Sequence, residues 1–193
     1  MRRLLILGLA PACYEPECID APEYLPRAAC DRAHVEVVIH QPARWPWDAD
    51  VLLEGHLQEA AAILELHGID LELASVQMDA YFPRLDMSAE GCDALDAWGE
   101  RVQPDDGRIH IWAMASIRHG DRVYEGITRS QAIALIPHAQ PRVLAHEFGH
   151  AFGLHHSDDP TDLMHPNDLD QAFEFTEEQG EIMRPHACAL SAR

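Results

Sequence analysis

The chain has 193 residues, with 14 basic side chains against 33 acidic ones and a formal charge of -19, and every one of its basic residues is arginine. That balance lacks the basic stripe a phosphate backbone or an anionic membrane surface requires, which excludes nucleic acid as the partner. Thirteen histidines set apart a chain that is otherwise ordinary at 47% hydrophobic and 24% charged, and no run approaches the ~20 apolar residues of a membrane span.

Residues 1–33 are predicted as an irregular N-terminal arm. Arg2 and Arg3 precede the apolar run Leu4 to Ala10, and Ala10-Pro11-Ala12 then leads to Cys13. The order imitates a secretory leader or a lipoprotein cleavage site but is shorter than the usual ~15–30 residues. A buried strand at Leu4 to Leu9 is the competing reading, and the compartment stays open between the two. Pro11, Pro16, Pro22 and Pro26 keep the rest of the arm irregular. The five cysteines (Cys13, Cys18, Cys30, Cys92, Cys188) contain no C-x-x-C pair, which excludes a cysteine-built zinc site. One or two disulfides and plain buried thiols both fit that spacing.

Regular patterns begin at His34. Val35, Val37 and Ile39 alternate with polar neighbours and predict a strand, broken by the prolines and tryptophans of residues 42–47. Leu53, Leu57, Ala60, Ala61 and Leu64 recur at helical spacing, predicting a helix over 50–67 with Asp48 or Asp50 at its start and Gly68 after its end. Ile69, Leu71 and Leu73 alternate, then Val76 and Met78 continue on the other phase, as in a strand with a bulge or with two buried faces. Residues 85–103 read as weakly helical at best. Ile109 to Ile117 is predicted as one strand apolar on both faces, His119-Gly120-Asp121 as a turn, Val123 to Thr128 as an antiparallel return, and Ala132 to Ile136 as a short strand. A helix between the first two strands implies a crossover and parallel pairing. The expected fold is therefore one α/β (α+β) domain, a mixed twisted sheet packed on two long helices.

Pro141 then opens a helix bearing His146-Glu147-Phe148-Gly149-His150. Residues four apart share a helical face, so both imidazoles can reach one ion while Glu147 stands beside the first, placed to contact water rather than metal. The run continues Ala151-Phe152-Gly153-Leu154-His155-His156. Gly153 can adopt a positive φ, end the helix and turn the chain so that His156 meets the same ion. Three histidines leave one coordination position open, the pattern of a catalytic zinc rather than a structural one. The metal ligands are thus expected to be His146, His150 and His156, with Glu147 as the general base.

His146 to His156 resembles the elongated zinc motif of the metzincin metallopeptidases, H-E-x-x-H-x-x-G-x-x-H. Ser157 to Pro166, with Leu163-Met164-His165-Pro166, is similar to the continuation found in the matrixins, the matrix metalloproteinase family. By that resemblance Met164 forms the Met-turn beneath the zinc, and Pro166 and Asp168 border the substrate pocket, although the tyrosine common two residues past the proline is replaced here by Asp168. The resemblance implies a metzincin-like fold with a five-stranded mixed sheet and an active-site helix. It also implies a catalytic domain over 34–193, with an upper part 34–153 and a lower part 154–193, and it favours an extracellular location. Thr176-Glu177-Glu178-Gln179 reads as a capping box opening the family's closing helix, here of about ten residues.

The function this implies is zinc-dependent hydrolysis of peptide bonds, as an endopeptidase acting on an extended peptide or protein laid along a sheet edge near 124–130, with the chain as a monomer. The rival readings are an aminopeptidase of the archaemetzincin kind, disfavoured because only Cys188 follows the motif where that family has paired cysteines, and a zinc-holding protein without turnover, disfavoured by Glu147. No calcium loop is complete, so Ca2+ has no support, and Asp158, Asp159, Asp162, Asp168 and Asp170 read as a solvated acidic loop. Pro26 to Asp31 distantly resembles the family's inhibitory cysteine switch, but Cys30 is expected to be structural or spare. His138 and His165 flank the motif; His34, His40, His56, His67, His110 and His186 are expected at the surface, and Trp45, Trp47, Trp98 and Trp112 in the core.

Overall fold

A computed structural model describes residues 28–43, 49–79, 84–87, 92–102, 106–136, 138–166 and 174–192. The apolar reading of residues 1–27, the tryptophans at 45 and 47, and Asp168 and Asp170 lie outside the described residues.

The alternating stretch from His34 forms β1 (Ala33–Pro42), and the helical one forms α1 (Ala49–Glu65), which ends as Gly68 takes φ 74°. The chain returns as β2 (Ile69–Asp79), parallel to β1 as the crossover requires. The phase change read between Leu73 and Val76 is a bulge. Val37 pairs with Leu73 but Val38 pairs with Ser75, which leaves Ala74 as the extra residue.

Two expectations need correction. Residues 85–103 contain a short strand, β3 (Arg84–Asp86), and a regular helix, α2 (Cys92–Val102). Leu95 and Trp98 are buried and Val102 packs partly against the core. That helical stripe is real but only three residues long, in a segment rich in charge and glycine. The stretch 109–117 is not one strand either: β4 (Ile109–Ala113) and β5 (Ser116–His119) belong to different sheets. Strand β4 is almost wholly buried while β5 buries only Ile117, and Met114-Ala115 between them carry no glycine, proline or polar turn residue, so the pattern does not reveal the break. The turn at Gly120 (φ 62°) leads into β6 (Arg122–Tyr124), antiparallel to β5. Then β7 (Gly126–Arg129) and β8 (Ala132–Leu135) form an antiparallel pair.

The main sheet has the order β2-β1-β4-β8-β7, parallel except for β7, and a second sheet has the order β3-β5-β6. Two helices follow: α3 (Pro141–Ala151), with proline in its first turn, and α4 (Glu177–Ser191). The capping box is formed as read, but α4 runs for 15 residues rather than about ten, continuing through Pro185. Helix α3 packs on α1, β7 and β8, while α4 packs on β1. A disulfide between Cys30 and Cys188 ties the start of the described chain to α4, so Cys30 is structural and not a thiolate poised over a metal. The buried core runs through both sheets and α3, and includes Trp98.

The histidines depart most from expectation. His40, His56, His110 and His186 are buried, because each sits where an apolar side chain would otherwise fill the interior. The His40 ring stacks on that of Trp112 with centroids 3.7 Å apart and planes 4° from parallel. Its Nε2 faces Nδ1 of His110 at 2.9 Å, and Nε2 of His110 faces Oδ1 of Asp106 at 3.2 Å. Burial, and then the electrostatic influence of the neighbouring His110, lower the His40 pKa to about 4. The unfolded chain therefore binds a proton that the folded chain refuses between about pH 6.5 and pH 4. Stability contributed by neutral His40 is complete above that window and declines as pH falls through it. Urea unfolding of the wild type and of His40→Phe at pH 7 and pH 5 checks this. The wild type should lose roughly 2 kcal/mol more than the variant on acidification.

Candidate metal centre

Helix α3 is a buried element: Val143 to Gly149 are all enclosed, with His146 and Glu147 fully so. Two charge-bearing residues with no solvent contact on one helix need specific partners.

The helix stops abruptly. Gly153 takes φ 90°, its N–H donates to the His150 carbonyl, and the Leu154 N–H reaches back to the Gly149 carbonyl, both at 2.9 Å. A side chain at Gly153 would also meet the His186 ring, its Cβ standing 2.9 Å from Nε2. The reversal carries the chain to His156 as anticipated, while the neighbouring His155 points to solvent. The three Nε2 atoms of His146, His150 and His156 then converge: 146 to 150 at 3.0 Å, 150 to 156 at 3.2 Å and 146 to 156 at 3.3 Å. Among the described residues this is the one cluster able to hold a metal ion.

The other ring nitrogens explain the convergence. His146 Nδ1 lies 2.7 Å from the Leu163 carbonyl and His150 Nδ1 2.9 Å from the Leu154 carbonyl. A carbonyl only accepts, so each Nδ1 carries the hydrogen and each Nε2 presents a lone pair inward. Burial, and next the neighbouring His150, hold His146 neutral, well below the ordinary histidine range. Lone pairs facing one another at such distances repel unless a cation lies between them. Ligands about 2.0–2.1 Å from a tetrahedral zinc are separated by about 3.3–3.4 Å, close to the spacing found. The donor set fits zinc.

The loop beneath the cluster is locked by residues with little sequence signal. Asp162, read as part of a solvated acidic loop, accepts the Met164 N–H at 2.8 Å and both its oxygens accept from Gln179 Nε2, at 3.0 and 2.9 Å. Gln179 Oε1 meanwhile accepts the Thr176 N–H at 2.8 Å, so the capping box also anchors the loop to α4. The Ser157 N–H closes the loop onto the Met164 carbonyl at 3.0 Å. Met164 is fully buried, and its Sδ would lie 2.5 Å from a Cβ at Gly149, so only glycine leaves it room under the helix. Met164 thus packs against the helix at Gly149, between His146 and His150 in sequence.

Other candidates fare differently. Pro166 is half-buried at the end of this loop, whereas Asp168 is outside the described residues. His138 is exposed and His165 half-buried; neither joins the converging nitrogens. Glu147 turns from the histidines' partners toward the edge strand. Thr128 of β7 donates its hydroxyl to Glu147 Oε2 at 2.6 Å, a contact nothing in the sequence announced.

The matrixin family model matches residues 93–180, from α2 to the first turn of α4, and so includes all three histidines, Glu147 and Met164. The chain has a metzincin-like fold. Its fold is shared with metalloproteinase-II from Bacteroides fragilis (16% identity, TM-score 0.58, 82% of this chain and 54% of that one). It is shared too with archaemetzincin from Methanopyrus kandleri (14% identity, TM-score 0.53, 82% of this chain and 98% of that one). The metzincin-like chain thus spans about half the length of the Bacteroides protein. No curated protein matches the sequence. The mixed five-stranded sheet and the active-site helix implied by the motif are both present.

Titration calorimetry of metal-free protein should show one zinc ion bound per chain. His150→Ala should weaken binding at least 100-fold, and His155→Ala should leave it unchanged.

Proposed function

We propose that this chain is a zinc metallopeptidase cleaving internal peptide bonds, with His146, His150 and His156 holding one zinc ion and Glu147 acting as general base. The observation that carries the reading is the inward convergence of three imidazole Nε2 atoms beside a fully buried carboxylate. Three protein ligands leave a position for substrate or water, as in catalytic and not structural zinc sites. When bound, zinc polarises a carbonyl oxygen and acidifies water to about pKa 7.

The protein's own groups do the rest. Strand β7 is the edge of the main sheet, so its outer side can pair with an extended peptide. Glu147 lies against that strand: a Cβ at Gly126 would come within 2.6 Å of its Oε1. A peptide laid on β7 therefore passes close to the carboxylate. Glu147 accepts a proton from the water that attacks the carbonyl carbon and returns it to the amide nitrogen as the C–N bond breaks, leaving a carboxyl group and an amine. An open edge lets an extended peptide continue on both sides of the scissile bond, which favours an endopeptidase. On this reading the upper part of the domain, 34–153, carries the α3 residues, and the lower part, 154–193, carries Met164 as support of the site and Pro166 and Asp168 as the wall of the substrate pocket.

Cleavage of a mixed peptide library, half of it N-terminally acetylated, tests the reading. The wild type should cut acetylated peptides internally; cleavage confined to free N-termini would replace it with an aminopeptidase. Glu147→Ala should keep stoichiometric zinc and lose about 10²–10⁴-fold in kcat. Stoichiometric zinc with no cleavage by the wild type would leave a metal-binding protein without turnover.

A further inference from the structure

We infer that Thr128 is the positioning residue of the site: its hydroxyl fixes the Glu147 carboxylate in the orientation proton transfer needs. The inference rests on the peptidase reading for its consequence in turnover, and on the contact itself for everything else.

Alternation along β7 puts Gly126 and Thr128 on one face and Ile127 and Arg129 on the other. The first face meets α3. The second faces away, where Arg129 pairs with Asp96 of α2 at 2.6 Å. Glu147 is thus pressed against two residues of the edge strand. Gly126 gives it space, since a Cβ there would strike Glu147 Cγ at 2.9 Å and Val143 Cγ1 at 2.8 Å. Thr128 supplies the hydrogen.

The Thr128 hydroxyl has two acceptors within reach, Glu147 Oε2 at 2.6 Å and the Glu147 main-chain carbonyl at 3.1 Å. It has one hydrogen to give. The shorter contact has the length of a charge-assisted O–H···O⁻ bond, the stronger class, so the hydrogen goes to the carboxylate. Both groups are enclosed, Thr128 at 6% exposure and Glu147 at 0%. Loss of the bond therefore leaves an enclosed carboxylate oxygen short of its donor.

Threonine suits the task for a second reason. A β-branched side chain on a strand has few χ1 states, so its hydroxyl is presented with little entropy left to lose. The strand expected to receive the substrate is the same one that holds the base, so docking a peptide on β7 and aligning Glu147 are mechanically joined. A misalignment of about 1 Å in a catalytic group costs on the order of 100-fold in rate.

A double-mutant cycle on the metal-free protein separates this role from general packing. Thr128→Val keeps the shape and removes the hydroxyl. It should lower the unfolding equilibrium constant's stability margin at least 10-fold in the wild type and less than 3-fold in the Glu147→Ala background. An equal cost in both backgrounds would assign the hydroxyl to the main-chain carbonyl and overturn the inference.

Kinetics of the zinc-loaded protein give the second arm. Thr128→Val should reduce kcat at least 10-fold with KM and zinc stoichiometry unchanged, and Thr128→Ser should restore most of it. An unchanged kcat in Thr128→Val, or no rescue by serine, would contradict the positioning role. A wild type without peptidase activity would refute the proposed function alone, and the cycle would then decide the contact by itself.

Discussion

Everything in this molecule that concerns function depends on two hydrogen bonds from histidine to backbone carbonyl. The Leu163 and Leu154 carbonyls take the Nδ1 hydrogens of His146 and His150, which obliges both rings to offer lone pairs on the opposite side. His156 completes a ring of three nitrogens, 3.0 to 3.3 Å apart. Such a ring is unfavourable when empty and favourable around a cation. The fold fixes the tautomers of His146 and His150 so that their Nε2 lone pairs face the position a cation could take.

The rest of the architecture can be read as support for those carbonyls. Leu154 is placed by the reversal at Gly153, and Leu163 by a loop that Asp162 closes from within and Gln179 clamps from α4. Helix α4 is held in turn by packing on β1 and by the Cys30–Cys188 disulfide. Rigidity thus passes from the sheet and the disulfide, through one helix cap, to the orientation of an imidazole. On the other side of α3 the same logic applies to Glu147, which is confined by Gly126 and Thr128 of the edge strand.

The parts legible in the sequence were those governed by local rules. Period-2 and period-3.6 patterns located β1, α1 and the bulge at Ala74, and the helix reversal followed from a glycine three residues after His150. Thr176 and Gln179 announced their capping box because its geometry needs only four consecutive residues. The elements that escaped are those set by what covers them. Met114 and Ala115 separate two strands of different sheets without a glycine, proline or polar residue to mark the break. The interior histidines escaped for a related reason. His40 looks like a polar residue beside Ile39, and only the Trp112 ring stacked upon it makes the position a core position. Thr128 and Asp162 carry no motif at all; each acts on a residue that is distant in sequence or reached only through a loop.

The most direct test of the central claim is the visible absorption spectrum of the protein loaded with cobalt(II) in place of zinc. Three imidazoles and one open position predict the intense bands of a four- or five-coordinate ion, at one ion per chain and lost in His156→Ala. The weak bands of a six-coordinate, oxygen-bound ion, or a spectrum unaffected by His156→Ala, would contradict it.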